Sequence, residues 1–119
     1  MTNEEMISAL AALAQSTRLE TFKLLVANEP DGLPAGAIAE RLAVPHNTLS
    51  THLSILSRAR LVTATRHSRS VIYRANLDQV QRLIGFLVQD CCAGQPDLCA
   101  PLLASLSPCT PSKKRIKVI

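Results

Sequence analysis

The sequence predicts a mainly α-helical chain of the α+β class, with helices first, then a β-hairpin, then a last helix. Three observations carry this. Hydrophobic residues make up 47% of the 119 and only three residues are aromatic, so the core is aliphatic. Such a core suits packed helices better than an all-β sandwich. Apolar residues recur at helical intervals as far as Arg58 and again after Asn76. Between those regions, Leu61–Thr65 and Val71–Tyr73 are rich in strand formers and flank the polar turn His67–Ser70.

The elements follow in order. Thr2 and Glu5 have capping-box spacing and precede Met6, Ile7, Leu10 and Leu13, which defines a first helix. That helix is alanine-rich and apolar on more than one face, as expected of a terminal helix that packs on a partner subunit or covers its own core. A second helix starts after Ser16, runs to about Asn28, and is expected to bury Leu19, Phe22, Leu25 and Val26. Glu29 to Pro34, with two prolines, a glycine and an aspartate, reads as a loop. Pro34 opens a short helix with Ile38 and Leu42 on one face, and a turn at Ala43-Val44-Pro45 follows. In the next helix Leu49, Leu53 and Leu56 form a buried stripe, while Asn47, Ser50, Thr51, Ser54 and Arg58 face away from it. After the hairpin, Asn76 is expected to cap a long last helix with the stripe Val80, Leu83, Ile84, Leu87 and Val88, ended by Gly94 and Pro96.

Two short helices joined by a tight turn, followed by a hairpin, describe a winged helix-turn-helix. Charge placement agrees with it. Residues 46–75 hold Arg58, Arg60, Arg66, Arg69 and Arg74 and no acid. The overall charge of +4 is a weaker argument, because the tail residues Lys113, Lys114, Arg115 and Lys117 account for all of it. A helix fits the major groove, where short polar side chains approach base edges while cations hold phosphates. His46, Asn47, Ser50 and Thr51 are the candidates for base contact, and Arg58, Arg66 and Arg69 for phosphate or wing contact. His52 flanks the buried stripe and is grouped with them. The expected partner is double-stranded operator DNA. No apolar run approaches the roughly 20 residues that span a bilayer. The N-terminus carries Glu4 and Glu5 in place of a basic start, so a cytoplasmic location is expected, with no membrane partner.

Leu13-Ala14-Gln15-Ser16-Thr17-Arg18-Leu19, Leu49-Ser50-Thr51-His52-Leu53-Ser54-Ile55-Leu56, and Leu61-Val62 through Arg66, Arg69 and Tyr73 resemble the ArsR/SmtB family of metal- and metalloid-responsive repressors. The likeness spans roughly residues 5–90. It implies a homodimer built on the first and last helices, bound to an imperfect inverted repeat and released by inducer. Two departures stand out: Arg60 where a glycine is usual before the first wing strand, and His67-Ser68 where the wing turn often carries a glycine. The domain expectation is a DNA-binding and dimerisation domain over 1–93, a cysteine-bearing segment over 94–110, and a disordered basic tail over 111–119. The tail resembles a nuclear-import signal and reads as a solvated aid to nonspecific DNA affinity.

All four cysteines, Cys91, Cys92, Cys99 and Cys109, lie in the last 29 residues. In a reducing compartment, clustered thiols bind soft ions or sense redox state more often than they form disulfides. Cys91 continues the last helix's stripe, Cys92 is rotated about 100° from it, and the Gly94–Pro96 break lets Cys99 turn back. Three converging thiolates suit trivalent arsenic or antimony, whereas zinc normally takes a fourth ligand. Cys91, Cys92 and Cys99 are the expected triad, with Cys109 a spare. The resemblance agrees: Glu40–Pro45 lacks the sulfurs of the well-known arsenic site, and the last helix has no histidine for a zinc-type site. Some members carry a vicinal cysteine pair with a third cysteine near the C-terminus. The same thiols leave open methylated arsenicals, cadmium, lead or zinc, a redox switch, and plain buried packing. A thiol-based reductase is the rival enzyme reading. It is disfavoured because Cys91 and Cys92 sit at a helix C-terminus, where the dipole opposes thiolate, and no glycine-rich anion loop is present. A metal-free architectural DNA binder is the third reading.

Overall fold

The computed structural model describes residues 1–91 and Pro101. Its elements are α1 (Asn3–Leu13), α2 (Ser16–Ala27), β1 (Leu33–Pro34), α3 (Ala35–Leu42), α4 (His46–Arg58), β2 (Val62–His67), β3 (Ser70–Ala75) and α5 (Leu77–Cys91). The chain divides into two compact units, Met1–Ile84 and Gly85–Ile119. The α+β class and the helices-hairpin-helix order are those the sequence predicts. No helix among the described residues is long and apolar enough to cross a membrane.

The capping box is formed: Thr2 Oγ1 accepts from the Glu5 N–H at 3.1 Å, and Glu5 Oε1 accepts from the Thr2 N–H at 3.4 Å. The face of α1 turned to the core is the alanine face. Ala9 and Ala12 are buried, whereas Ile7 is 63% and Leu10 41% exposed. Helix α2 is capped by Gln15 rather than Ser16; its Oε1 accepts from the Arg18 N–H at 2.8 Å. Its inward positions are Thr21, Phe22 and Leu25, and Leu19, expected in the core, is 41% exposed. Thr21 tolerates full burial because its hydroxyl donates to the Thr17 carbonyl at 2.7 Å.

The expected loop over Glu29 to Pro34 contains a strand. Leu33 pairs with Tyr73 and Pro34 with Ile72, giving an antiparallel sheet of order β1-β3-β2. Proline has no N–H to give, and an edge strand is where that loss is tolerated. Gly32 makes the close approach possible. It sits at φ +75°, and a Cβ there would lie 2.5 Å from the Tyr73 carbonyl oxygen.

Leu25, Ile38, Leu49, Leu53, Leu56 and Leu61 are fully buried in one aliphatic cluster. Each contributes about 1.5–3 kcal/mol of burial free energy before chain entropy is counted. On α5, Leu83 is buried and Val80 packs against the same cluster, but Ile84, expected in the stripe, is 52% exposed. Asn76 does not cap α5 with its side chain. Its carbonyl accepts from the N–H groups of Gln79 and Val80, while its side-chain amide donates to the Arg60 carbonyl at 2.8 Å.

Candidate nucleic-acid interface

Helix α4 is amphipathic in the register its sequence predicts. Leu49, Leu53 and Leu56 are buried on one side. His46, Asn47, Thr48, Ser50, Thr51, Ser54 and Arg58 are exposed. From Asn47 to Ser54 the exposed face carries only short amide and hydroxyl side chains, so a base edge can approach it closely. Local bonds preorganise it: Asn47 Oδ1 accepts from the Thr48 N–H at 2.9 Å, and Thr51 Oγ1 donates to the Asn47 carbonyl at 3.3 Å. Arg58 lies one turn beyond Ser54 and donates to its Oγ at 3.4 Å.

Both helices of the helix-turn-helix end in the same way. At the end of α3, the Val44 N–H donates to the Ala39 carbonyl and the Ala43 N–H to Glu40, with Ala43 at φ +55°. At the end of α4, the Leu61 N–H donates to Leu56 and the Arg60 N–H to Ser57, with Arg60 at φ +64°. These are paired Schellman closures, in which the left-handed residue is usually glycine. The unusual Arg60 thus stands where the backbone turns left-handed, and so does Ser68 at φ +55° in the wing turn. In both places a side chain is accepted at a position that favours glycine.

The end of α4 is also held from the last helix. Gln79, itself buried, donates through Nε2 to the Ala59 carbonyl at 3.3 Å, beside the Asn76 bond to Arg60. The first turn of α5 therefore closes the recognition helix at its C-terminus.

The wing is a hairpin with a two-residue loop, Ser68-Arg69, closed by the His67–Ser70 pair. It is longer than the sequence suggests: β2 continues through Arg66 and His67, and every residue from Thr63 to Ser70 is exposed. Arg66 and Arg69 stand on this exposed part.

Two residues of the segment 46–75 are turned elsewhere. His52 is half-buried, and its Nδ1 lies 3.3 Å from an Nη of Arg18 on α2. Arg74, one of the five arginines of the basic segment, makes a two-point ion pair with Glu29, at 2.9 and 3.2 Å. The Glu29 carboxylate raises the Arg74 guanidinium above its ordinary value, by the hydrogen bond first and by charge second. Of the five arginines in residues 46–75, Arg58, Arg60, Arg66 and Arg69 are thus the ones without an acidic partner among the described residues. Arg58 and Arg60 line an open cavity of about 240 Å³ together with Glu4, Glu5 and Ser8 of α1, so acids temper the field at that end. Thr48, Ser54 and Arg60 are exposed candidates that the sequence reading left out of the site. The outer-face position of Ser54 is legible in the sequence, that of Thr48 follows from the same helical spacing, and the signal for Arg60 is adjacency to Arg58.

Of the expected triad, Cys91 is the last residue of α5. Cys92 and Cys99 lie outside the described residues, as does Cys109.

A helix-turn-helix with a neutral polar reading face and an arginine-bearing hairpin defines a winged helix-turn-helix protein. A family profile described as "Helix-turn-helix domain" matches residues 13–65. The nodulation protein NolR of Rhizobium meliloti is 32% identical over 78 residues, 66% of this chain, and the chain spans 62% of that protein's length. The solved NolR of Sinorhizobium fredii is 30% identical, covering 72% of this chain and 83% of that one, with a TM-score of 0.59. An ArsR-like transcriptional regulator from Rhodococcus sp. RHA1 is 27% identical, covering 88% and 96%, with a TM-score of 0.69. The chain thus carries a winged helix-turn-helix domain and is similar, over most of its length, to ArsR-like transcriptional regulators.

Proposed function

We propose that this protein is a transcriptional repressor that binds operator DNA as a homodimer and is released when its C-terminal thiols capture trivalent arsenic or antimony. The observation that carries the DNA reading is the outer face of α4: Asn47, Ser50 and Thr51 exposed above a fully buried leucine stripe, with Arg58, Arg66 and Arg69 around it. Neutral hydrogen-bonding groups read bases and the surrounding cations bind the backbone.

A dimer is supported by apolar side chains left in solvent on the first and last helices. Ile7 and Leu10 on α1, and Leu77 and Ile84 on α5, are each more than 40% exposed. Large aliphatic groups in such numbers on two terminal helices favour a subunit contact. Two recognition helices then address the two halves of an inverted repeat.

The inducer reading rests on the chemistry of the sequence. Cys91 at the end of α5, with Cys92 and Cys99, offers three thiolates to a soft pyramidal ion. Gln79 in the first turn of α5 and Asn76 just before it hold the Ala59 and Arg60 carbonyls. Strain introduced on α5 therefore has a bonded route to the end of the recognition helix, and a coupling of about 1–3 kcal/mol makes a useful switch. Thiol deprotonation makes capture pH-dependent.

The test is fluorescence anisotropy of an operator duplex during titration with arsenite, antimonite, methylarsenite, cadmium and zinc. Arsenite and antimonite are expected to release DNA, and Cys99→Ser is expected to abolish that release. Release that survives Cys99→Ser removes the triad. Release by methylarsenite alone reassigns the site to two thiols, and release by oxidant alone makes it a redox switch.

A further inference from the structure

Helix α1 ends without a basic residue in its last turn, yet its terminal carbonyls are bonded to a cation. Arg18 of α2 reaches back, donating from Nε to the Ala12 carbonyl at 2.7 Å and from Nη2 to the Ala11 carbonyl at 3.4 Å. Carbonyls of a last helical turn have no donor within the helix, and the helix dipole favours a positive group there. The third arm of the same guanidinium, Nη1, meets His52 Nδ1 on α4 at 3.3 Å. Guanidinium carries donors only, so in this contact Nδ1 takes the acceptor role.

One planar group thus joins three helices. His52 stands between Thr51, which is exposed on the reading face, and Leu53, which is buried in the core. Helix α4 begins at Pro45 with no side-chain cap. Its rotation about its axis is set by the leucine stripe, by the Gln79 and Asn76 bonds just past its C-terminus, and by what holds His52 near its middle. Base-edge hydrogen bonds weaken steeply with angle, so a small rotation of α4 misaims Asn47, Ser50 and Thr51 together.

We infer that Arg18 and His52 form a positioning pair that fixes the reading face of α4 to the end of α1, so that His52 governs sequence discrimination without itself reading a base. This rests on the DNA-binding function proposed above. Because α1 is also a proposed subunit contact, the pair ties the placement of the reading face to the helix that meets the partner.

The experiment compares a duplex selected by the full wild-type chain from a randomised library with a scrambled duplex of the same length. Affinities are measured by anisotropy, and the folded fraction by circular dichroism on the same samples. Loss of a charge-assisted hydrogen bond between helices corresponds to roughly a tenfold fall in the selected-to-scrambled affinity ratio, expected for both Arg18→Ala and His52→Leu. A general loss of folded protein lowers both affinities alike and leaves the ratio untouched. His52→Asn keeps an acceptor near the Nδ1 position and is expected to restore most of the ratio. Combining Arg18→Ala with His52→Leu is expected to cost little more than the worse single change. An unchanged ratio in folded His52→Leu overturns the inference, and so does additivity in the double variant. If the wild-type chain selects no duplex, the DNA-binding function itself falls and this inference falls with it. Failure confined to the variants refutes the pair alone.

Discussion

Among the described glycines, Gly32 is the one where an added methyl group meets filled space. Its backbone is left-handed at φ +75°, and an added Cβ would meet the Tyr73 carbonyl oxygen at 2.5 Å, Arg74 Cγ at 2.6 Å and Ile72 Cγ2 at 2.9 Å. The first neighbour is backbone of the central strand and cannot swing aside. A left-handed non-glycine residue costs about 1–2 kcal/mol, and forcing a group into filled space costs about 1–3 kcal/mol more. Reduced freedom of the unfolded chain returns about 0.4–1 kcal/mol. Gly32→Ala is therefore expected to destabilise by roughly 2–4 kcal/mol, a large part of the stability of a domain this size. The relief available is to separate Leu33-Pro34 from β3, which loosens the base of the wing. Urea unfolding at fixed protein concentration is the assay, with the midpoint falling and the slope unchanged. Gly85, with nothing within 4 Å of its added Cβ, is the control. Gly85→Ala in a helix is expected to stabilise by about 0.5–1 kcal/mol. A loss below about 0.5 kcal/mol for Gly32→Ala, within the scatter of ordinary surface changes, refutes the steric argument.

Ala43→Gly relieves a left-handed residue at the end of α3, and a gain of about 0.5–1 kcal/mol is expected in the same unfolding assay. Asn47→Ala removes the one amide on the reading face and is expected to cost about 1–3 kcal/mol of discrimination at one base pair, measured by competition among single-substituted duplexes. Arg66→Ala and Arg69→Ala are each expected to lower the slope of log affinity against log salt by about one. Arg74→Ala is expected to leave that slope unchanged, because Glu29 already occupies its guanidinium; a drop equal to that of Arg66→Ala contradicts the pairing.

Much of the reading helix was legible in the sequence. Leu49, Leu53 and Leu56 recur at helical spacing, which orients the intervening polar residues outward whatever the helix packs against. The capping box of Thr2 and Glu5 was equally legible, since both partners lie within one turn. Legibility failed where a long-range neighbour decided the matter. On α2 the spacing alone does not say whether Leu19 or Thr21 faces inward; packing against the other elements buries Thr21, whose hydroxyl is satisfied locally by the Thr17 carbonyl. On α1 it buried Ala9 and Ala12 and left Ile7 outside.

The sequence by itself determined the order of the five helices and the hairpin, the leucine stripe of α4, and the wing with its arginines, because helical and strand periodicity and turn chemistry are properties of neighbouring residues; β1 depends on a distant partner strand and was not among them. Only the tertiary structure decided which cations remain free and what holds α4 in place. Glu29 and Arg74 stand 45 residues apart, and Arg18 and His52 stand 34 apart. A charge near a helix reads the same in sequence whether a distant carboxylate neutralises it or not. The left-handed backbone at Arg60 and Ser68 belongs to the same class. No residue there announces positive φ, and the closures of α4 and of the hairpin impose it.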